Sequence, residues 1–537
     1  MATYDITSRL PTFAEQWPSF YLWDALMQTR SSLQRVILMA TLICAPLVCA
    51  QKAPTPSSDA EARTAKAFET ARQQSPLALH AFLADMPKGG DLHVHLGGAI
   101  YAESLIAEAA ADGLCVDIAT SGLLDKHDAT APNCGNGRRP AGDALSDQHF
   151  YDTLVDAFSM RSFAPSNGHS GHDQFFDTFG RFGAVGSQHK GDWLNEVSAR
   201  ASVQNEQYLE LMITPPFAHA AGLARTLGWH ADFDLMRRQL LAHGLKDEMA
   251  DDEQLLTQAL AQRKQQQHCD SKQADSGCTV QIRFLYQVLR GAAPERVFAQ
   301  TLLGFELASV DPRWVGINFV MPEDGYLSMR DYSLQMHMLD YLHRLYPKVH
   351  ISLHAGELAP GLVPPEGLRF HIREAVELGH AERIGHGVDV MYEDRPEALL
   401  DEMAARHVMV EINLTSNDVI LGVRGAEHPL PIYLKHGVPV TLSTDDEGVS
   451  RIDLTHEYVR AAEDFGLDYP MLKQMARNSL SYSFLPGESL WASSACQGIS
   501  LGAGHPNAAC QRLLASSEKA TAQWELERRL RAFEQAH

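Results

Sequence analysis

Several features that define other classes of protein are missing from this sequence. None of its 8 cysteines forms a C-x-x-C pair, which argues against a zinc site built on thiolates. The 45 lysines and arginines include no long basic run, and a net charge of −22 would repel a phosphate backbone. We therefore expect no nucleic-acid partner, and any bound metal must use nitrogen and oxygen ligands.

The apolar stretch near the start of the chain is too short for a transmembrane helix. Arg30 and Arg35 precede this stretch, 36–48, and a small-residue site at Ala50 follows it. This order is typical of a secretory signal cleaved after Ala50. It predicts a secreted or periplasmic protein with no stable membrane span after signal removal. Met27 is an alternative start of the chain, and a buried N-terminal helix is the alternative to a signal.

The cysteine pattern agrees with export. Six cysteines lie outside the predicted signal, and they occur as three couples that are close in sequence. Six cysteines allow 15 connectivities, and locality favours the pairs Cys115 with Cys134, Cys269 with Cys278, and Cys496 with Cys510.

Apolar segments alternate with segments of helical periodicity along most of the chain. The apolar segments predict eight strands, at 91–95, 207–214, 280–287, 315–320, 349–353, 383–385, 407–414 and 438–443. Helices are predicted between them, for example at 332–345, 370–378, 396–406 and 454–465. Eight strands alternating with helices predict a (β/α)₈ TIM barrel of the α/β class.

Additions surround the predicted barrel. The segment 112–172 is rich in Gly, Ser, Asp, Asn and Pro, and we interpret it as an insertion after the first strand, over the barrel mouth. The predicted organisation is a signal at 1–50, a linker and N-terminal helix at 51–85, the barrel at 86–487, and a C-terminal disulfide loop and helix at 488–537. Within these additions, helices are predicted at 60–83 and 511–535.

Four polar clusters each follow an apolar segment, at the strand ends where such barrels place active sites. His93 and His95 are two apart on a strand, so both side chains point to one face. With His354 and Asp445 at two other strand ends, they supply three imidazoles and one carboxylate. This set suits one zinc ion with a further position open for water, although an isolated H-x-H pair is usually structural.

Three further side chains lie beside these ligands. Glu357 follows His354 by three residues and is predicted to transfer a proton, the alternative being a capping or salt-bridging glutamate. His386, between two glycines, can orient or deprotonate water. Asp446 can accept a hydrogen bond from substrate, although neighbouring carboxylates usually mark a turn or helix cap.

Four phenylalanines occur at helical spacing after the insertion, and this spacing favours core packing over a wall that stacks on a base. They are Phe175, Phe176, Phe179 and Phe182.

Taken in order, these motifs resemble the adenosine/AMP deaminase family. The resemblance covers roughly 86–486, and the matching motifs are MPKGGDLHVHL at 86–96, HAGE at 354–357, RIGHG at 383–387, EINLTSN at 411–417, STDD at 443–446, and NSL at 478–480 before SFL at 483–485. It implies zinc-dependent hydrolysis of adenosine or 2′-deoxyadenosine to inosine or deoxyinosine and ammonia. The implied zinc ligands are His93, His95, His354 and Asp445. Glu357 would protonate purine N1, His386 would steer the hydroxide, and Asp446 would bind N7.

Two substrate-site residues depart from the family pattern. Gly97 stands where many members have an aspartate that contacts the ribose 5′-hydroxyl, and Met321 stands where a glycine commonly serves purine N3. A modified adenosine therefore remains open as the substrate. AMP is disfavoured because no added basic cluster is present for its phosphate.

The predicted export, the cysteine couples and the insertion are similar to the secreted adenosine deaminase-related growth factor group. The helical stretch 60–83 is similar to that group's dimerisation element, which leaves a homodimer open. Two rival functions remain. A binuclear amidohydrolase would need a bridging lysine after the fourth strand, and 315–320 contains none. An extracellular adenosine-binding or signalling protein with the same fold is the other rival.

Overall fold

A computed structural model describes residues 59–124, 134–502 and 504–537. Eight parallel strands follow one another in chain order: β1 Gly89–His95, β2 Glu206–Ile213, β3 Gln281–Leu289, β4 Trp314–Val320, β5 His350–Ala355, β6 Arg383–His386, β7 Met409–Ile412 and β8 Val440–Leu442. Each predicted strand boundary lies within two residues of the observed one. The predicted (β/α)₈ barrel is confirmed.

The barrel closes between β8 and β1 through a parallel bridge from Val94 to Asp445. The His95 N–H donates to the Asp445 carbonyl at 3.1 Å, and the Asp445 N–H donates to the His93 carbonyl at 2.9 Å. Two predicted metal ligands on β1 are therefore tied by backbone hydrogen bonds to a third that follows β8. Closure of the sheet itself brings these residues together.

Helices connect the strands and extend both ends of the barrel. Their bounds are Asp59–Gln74, Pro76–Asp85, Ala102–Ala111, Gln148–Ala157, Gly171–Phe182, Lys190–Val203, Ala218–Leu227, Phe233–Ala242, Met249–Gln266, Pro294–Ala308, Tyr326–Arg330, Tyr332–Leu345, His371–Glu377, Pro396–Arg406, Leu414–Leu421, Leu430–His436, Glu447–Ser450, Leu454–Phe465, Tyr469–Ser481, Ala508–Ser516 and Glu518–Ala536. Three of the four predicted inter-strand helices have the predicted bounds, and the fourth is one residue shorter at each end.

The two terminal helices differ from prediction because each is broken once. At the N-terminus, Ser75 caps a second helix by accepting the Ala78 N–H, and Pro76 has no N–H with which to continue the first. At the C-terminus, the Ser517 hydroxyl accepts the Ala520 N–H at 3.0 Å and begins a new helix. Both breaks follow from serine caps within segments of otherwise helical composition.

All three predicted disulfides are present, Cys115–Cys134, Cys269–Cys278 and Cys496–Cys510. The predicted signal and linker, residues 1–58, lie outside the described residues. Within the described ranges, no helix combines the length and the apolar character needed to cross a membrane.

The segment between β1 and β2 carries a small antiparallel sheet, formed by Cys115–Asp117, Leu123–Leu124 and Arg138–Pro140. It leads to the helix Gly171–Phe182, which we call the aromatic helix. A capping box between Ser170 and Asp173 begins this helix. Gly171 lies so close to the Val419 carbonyl that an added Cβ would be 2.0 Å from the oxygen. The absence of a side chain at Gly171 lets the aromatic helix pack against the helix that follows β7.

Candidate active site

A cavity of about 360 Å³ lies at the C-terminal ends of the barrel strands. It is lined by His95, Phe175, Phe176, Phe179, Gln287, Leu289, Val320, Met321, Pro322, His354, Glu357, His386, Asp445 and Asp446. Seven of the nine predicted site residues are in this lining. The other two are His93, which is buried beneath it, and Gly97.

The four predicted zinc ligands converge at the base of this cavity. The Nε2 atoms of His95 and His354 are 3.1 Å apart, and Asp445 Oδ1 lies 3.2 Å from His95 Nε2 and 3.4 Å from His93 Nε2. His386 is close as well, because one ligand atom each from His93, His354, His386 and Asp445 lies within 4.8 Å of the others. Proximity alone therefore leaves two choices for the third imidazole, His95 or His386.

The tautomer of His93 is set by a buried ion pair. Its Nδ1 lies 2.7 Å from the Glu411 carboxylate, which also accepts a contact of 2.6 Å from Arg383. Nδ1 must therefore carry the proton, leaving the Nε2 lone pair directed at the other ligands. Among the described residues, this fully buried Nε2 has no hydrogen-bond partner. A buried nitrogen with a free lone pair fits a metal.

His354 is held in the same tautomer by a hydrogen-bond chain. The Ser352 hydroxyl donates to Glu411 at 3.1 Å, so it can accept from the Asn318 amide nitrogen at 3.5 Å. The Asn318 carbonyl oxygen then faces His354 Nδ1 at 2.6 Å and accepts its proton. The Nε2 atoms of His354 and His95 thus face each other at a distance that suits a shared cation.

The electrostatics of the cluster favour a positive ion. Burial lowers the pKa of His93, but the nearby carboxylates of Asp445 and Glu411 outweigh burial and raise this pKa to about 10. Burial and the neighbouring imidazoles lower the pKa of His354 well below its ordinary value. A positive charge is therefore favoured at His93, while the neighbouring His354 stays neutral. The donor set of imidazoles and one carboxylate fits zinc.

Glu357 is oriented by a second buried network. The N–H groups of Gly356 and Glu357 donate to the Glu323 carboxylate at 3.1 and 2.8 Å. Gly356 has φ +75°, and a Cβ there would lie 2.5 Å from the Asp389 carboxylate, so the turn requires glycine. Arg290 donates to the His354 carbonyl at 3.0 Å and lies 3.8 Å from Glu323. This network fixes Glu357 relative to His354, the predicted ligand.

The Glu357 side chain is only 7% exposed, and it lies among negative groups. Burial raises its pKa well above the ordinary value, and the carboxylates of Asp445 and Glu323 raise it further. Glu357 can therefore hold a proton inside the cavity near neutral pH. His386 lies beside it, with Nε2 at 3.7 Å from Glu357 Oε1.

Three cavity residues adopt backbone conformations that favour glycine. Met321 after β4 has φ +99°, His386 at the end of β6 has φ +70°, and Asp445 after β8 has φ +60°. Such conformations cost about 1–3 kcal/mol each and concentrate at functional sites. In this barrel they turn the chain at the strand ends and direct these side chains into the cavity.

The two glycines after β1 differ in their relation to Asp446. A Cβ at Gly98 would lie 1.6 Å from Asp446 Oδ1, so glycine at that position makes room for the carboxylate. A Cβ at Gly97 would meet nothing within 4 Å. Burial raises the pKa of Asp446 well above its ordinary value, and the charge of Asp445 adds to this effect. The substrate contact predicted at Gly97 stays a prediction.

The aromatic helix packs against the hydrophobic core, as expected, and also borders the cavity. Phe175 and Phe182 are buried in the core, Phe176 and Phe179 pack against it, and Phe175, Phe176 and Phe179 also line the cavity. Their helical spacing indicated one apolar face, and sequence could not show that part of this face borders a cavity.

Sequence reasoning assigned no role to the residues that support the ligands. These are Glu411, Asn318, Glu323 and Arg290. Glu411 and Asn318 carried one signal, because each is a polar residue inside an apolar strand segment. Their partners were not visible in sequence, since every contact joins different strands of the barrel.

Comparison with known proteins points to one family. Residues 236–491 match the family model described as adenosine deaminase. Adenosine deaminases of Escherichia coli strains SMS-3-5 and SE11 are each 44% identical over 140 residues, which is 26% of this chain and 39% of each relative. The chain thus spans about two fifths of the length of these curated relatives.

Solved structures to which the chain is similar include three of low sequence identity. Adenine deaminase from Arthrobacter aurescens has a TM-score of 0.49 and 18% identity, covering 74% of this chain and 94% of that one. N6-mAMP deaminase from Arabidopsis has a TM-score of 0.49 and 20% identity, covering 76% of this chain and 96% of that one. An amidohydrolase from Burkholderia ambifaria with bound Zn has a TM-score of 0.49 and 17% identity, covering 76% of this chain and 88% of that one.

The matched segment contains most of the cavity's polar residues. His354, Glu357, His386, Asp445 and Asp446 lie inside 236–491, whereas the two β1 histidines precede it. Over the matched residues, the chain is therefore similar to the adenosine deaminase family.

Proposed function

We propose that this protein is a zinc-dependent enzyme, with one zinc per chain, that hydrolyses adenosine or 2′-deoxyadenosine to inosine or deoxyinosine and ammonia. The observation that carries the proposal is the buried group of imidazoles and Asp445 beside Glu357, which can hold a proton. The predicted ligand set is His93, His95, His354 and Asp445. When zinc is bound, the chemistry it supplies is the activation of water as a nucleophile.

The protein side chains then act on the purine. Protonated Glu357 gives its proton to N1, which makes the adjacent C6 electrophilic and open to attack. His386 orients the attacking nucleophile. Protonated Asp446 donates a hydrogen bond to N7, which is an acceptor, and its raised pKa supports this protonation state. Loss of ammonia from C6 then yields the 6-oxo product.

The cavity supports a nucleoside substrate in preference to a nucleotide. Its volume of about 360 Å³ is in the range of small-molecule sites, and among the residues that the structure describes, its lining includes no lysine or arginine to bind a phosphate. Phe176 and Phe179 supply an apolar wall for the base or sugar. Met321 narrows the same cavity, so a modified adenosine is the alternative substrate.

Met321 lines the cavity and is proposed to contact substrate, and this role leads to a prediction for Met321→Gly. Glycine relieves about 1–2 kcal/mol of left-handed strain but adds backbone entropy to the unfolded chain, so the unfolding free energy should stay within about 1 kcal/mol of wild type. Loss of the side chain should raise KM for adenosine about tenfold. Urea denaturation and steady-state kinetics measure both effects. Met321→Ala is the matched control, because it removes most of the Met321 side chain and keeps the backbone strain. Unchanged KM in both variants would contradict the role of Met321.

The first test of the function is metal removal. Zinc-loaded protein should convert adenosine to inosine, followed by the loss of adenosine absorbance. Chelation should abolish turnover, and added zinc should restore it. A magnesium addition to the chelated protein is the control. Turnover that survives complete chelation would refute a zinc enzyme.

A second candidate is an extracellular adenosine-binding protein related to the secreted adenosine deaminase-related growth factors. The three disulfides support export to a secreted or periplasmic location. Saturable adenosine binding without turnover by the zinc-loaded protein would favour this candidate over the enzyme.

A further inference from the structure

We propose that His428 and Asn417 are positioning residues that hold the proton of His386 on Nε2. In this tautomer His386 donates a hydrogen bond into the cavity and does not act as a base. The inference deepens the proposed function and rests on it for its kinetic consequence. The arrangement of hydrogen bonds itself is independent of the reaction.

The chain of hydrogen bonds begins at a backbone amide, whose direction is fixed. The Leu430 N–H donates to His428 Nδ1 at 3.1 Å, so Nδ1 must carry a lone pair. His428 is 2% exposed and packs edge-on against Phe465. Burial lowers its pKa to about 3, and the charge of Arg460 lowers it further, so the ring is neutral. Its single proton is therefore on Nε2.

That proton sets the orientation of the Asn417 amide. His428 Nε2 lies 3.0 Å from Asn417 Oδ1, and a donor requires the amide oxygen, not the nitrogen, on this side. The Asn417 amide nitrogen then faces His386 Nδ1 at 2.9 Å and donates to it. Asn413 presents a second amide nitrogen to the same atom at 3.4 Å. His386 Nδ1 is therefore an acceptor.

The remaining proton of neutral His386 must lie on Nε2. Within the described part of the chain, this buried Nε2 has no hydrogen-bond partner. In the cavity, Glu357 Oε1 lies 3.7 Å from this Nε2. An N–H group is therefore aimed at the place where the nucleophile must attack. The lone pair of the His386 ring is on Nδ1, on the opposite side, where it accepts from the Asn417 amide.

Two consequences follow from this tautomer. A protonated Nε2 has no lone pair for a metal, so His95 and not His386 completes the three imidazoles. The same nitrogen cannot remove a proton from water, so His386 orients the nucleophile by donating to it. The sequence alone leaves both orientation and deprotonation open for His386, and the hydrogen-bond chain favours orientation.

The kinetic test changes the direction of one hydrogen bond. In Asn417→Asp, a carboxylate can only accept, so the His386 proton should move to Nδ1. We expect kcat to fall about 100-fold, the usual effect of removing one preorganised donor, with KM within about threefold and full zinc content. Asn507→Asp is the matched control, since asparagine and aspartate cap the helix Ala508–Ser516 equally well. It should keep wild-type kcat.

A pair of His428 variants tests the hydrogen bond from His428 Nε2 to Asn417. Glutamine at 428 can still donate an amide N–H to Asn417, whereas leucine cannot. His428→Gln should therefore retain more of wild-type kcat than His428→Leu, by about tenfold. Equal losses of kcat in both variants would indicate a merely structural role for His428 and would overturn the proposal.

A readout independent of activity is the ¹⁵N spectrum of histidine-labelled protein, with His386 assigned by its loss in His386→Gln. Wild type should show a protonated Nε2 and an unprotonated Nδ1, and Asn417→Asp should reverse them. A proton on Nδ1 in wild type overturns the inference. If the wild-type protein turns over no adenosine, the proposed function fails, while the spectrum still decides the tautomer.

Discussion

Replacing Glu357 with glutamine is expected to lower kcat for adenosine by about 1,000-fold, which is in the range of general acid–base effects. Glutamine has nearly the same shape and keeps both backbone N–H bonds to Glu323. It cannot give a proton to purine N1, so C6 stays a poor electrophile. Steady-state turnover, zinc content and thermal unfolding of the variant should be measured together.

The control for this prediction is Glu366→Gln. Glu366 is exposed and does not line the cavity, so its loss should leave kcat unchanged. Zinc content and unfolding temperature should match wild type in both variants. Wild-type turnover by Glu357→Gln would refute the role of this residue as the proton donor.

Replacing Asp445 with asparagine is expected to weaken zinc binding by more than about 100-fold, because even residues behind a ligand contribute 10–100-fold to metal affinity. The substitution removes the negative ligand from between His93 and His95. The Ser416 hydroxyl, which donates to Asp445 at 2.7 Å, also loses a charged acceptor. Turnover should fall with zinc content, as measured by competition with a chelator of known affinity.

Asp446→Asn provides a matched comparison at the next residue. It makes the same chemical change in the same loop but leaves the predicted ligand set intact. We expect this variant to retain one zinc and most of its turnover, because the asparagine amide N–H can replace the protonated carboxyl as the donor to N7. Equal zinc loss in both variants would contradict the assignment of Asp445 alone as the ligand.

The strands and helices were predictable from local patterns. Apolar segments such as 315–320 and 383–385 correspond to β4 and β6, because strand formation and burial leave a signal in consecutive residues. The polar clusters at strand ends were predictable for the same reason. Once eight alternating strands are recognised, their C-terminal ends must lie on one face, which brings His93, His354 and Asp445 together.

Local sequence left other features undetermined. The spacing of Phe175, Phe176 and Phe179 indicated an apolar face but not the cavity that it borders. The two terminal segments read as single helices because most of their residues favour a helix. Only the observed bonds of Ser75 and Ser517 showed where each helix ends and the next begins.

Sequence by itself therefore determined the barrel and placed the predicted metal and catalytic residues at its strand ends, because periodicity and chain order specify them. For the three disulfide pairs that the structure shows, sequence locality only favoured the pairing. Tertiary structure alone decided how those residues are oriented and protonated. Glu411 holds His93, Asn318 holds His354, and Asn417 holds His386, each across separate elements of the chain. The direction of a hydrogen bond depends on which group faces which, and residues distant in sequence meet only in the folded barrel.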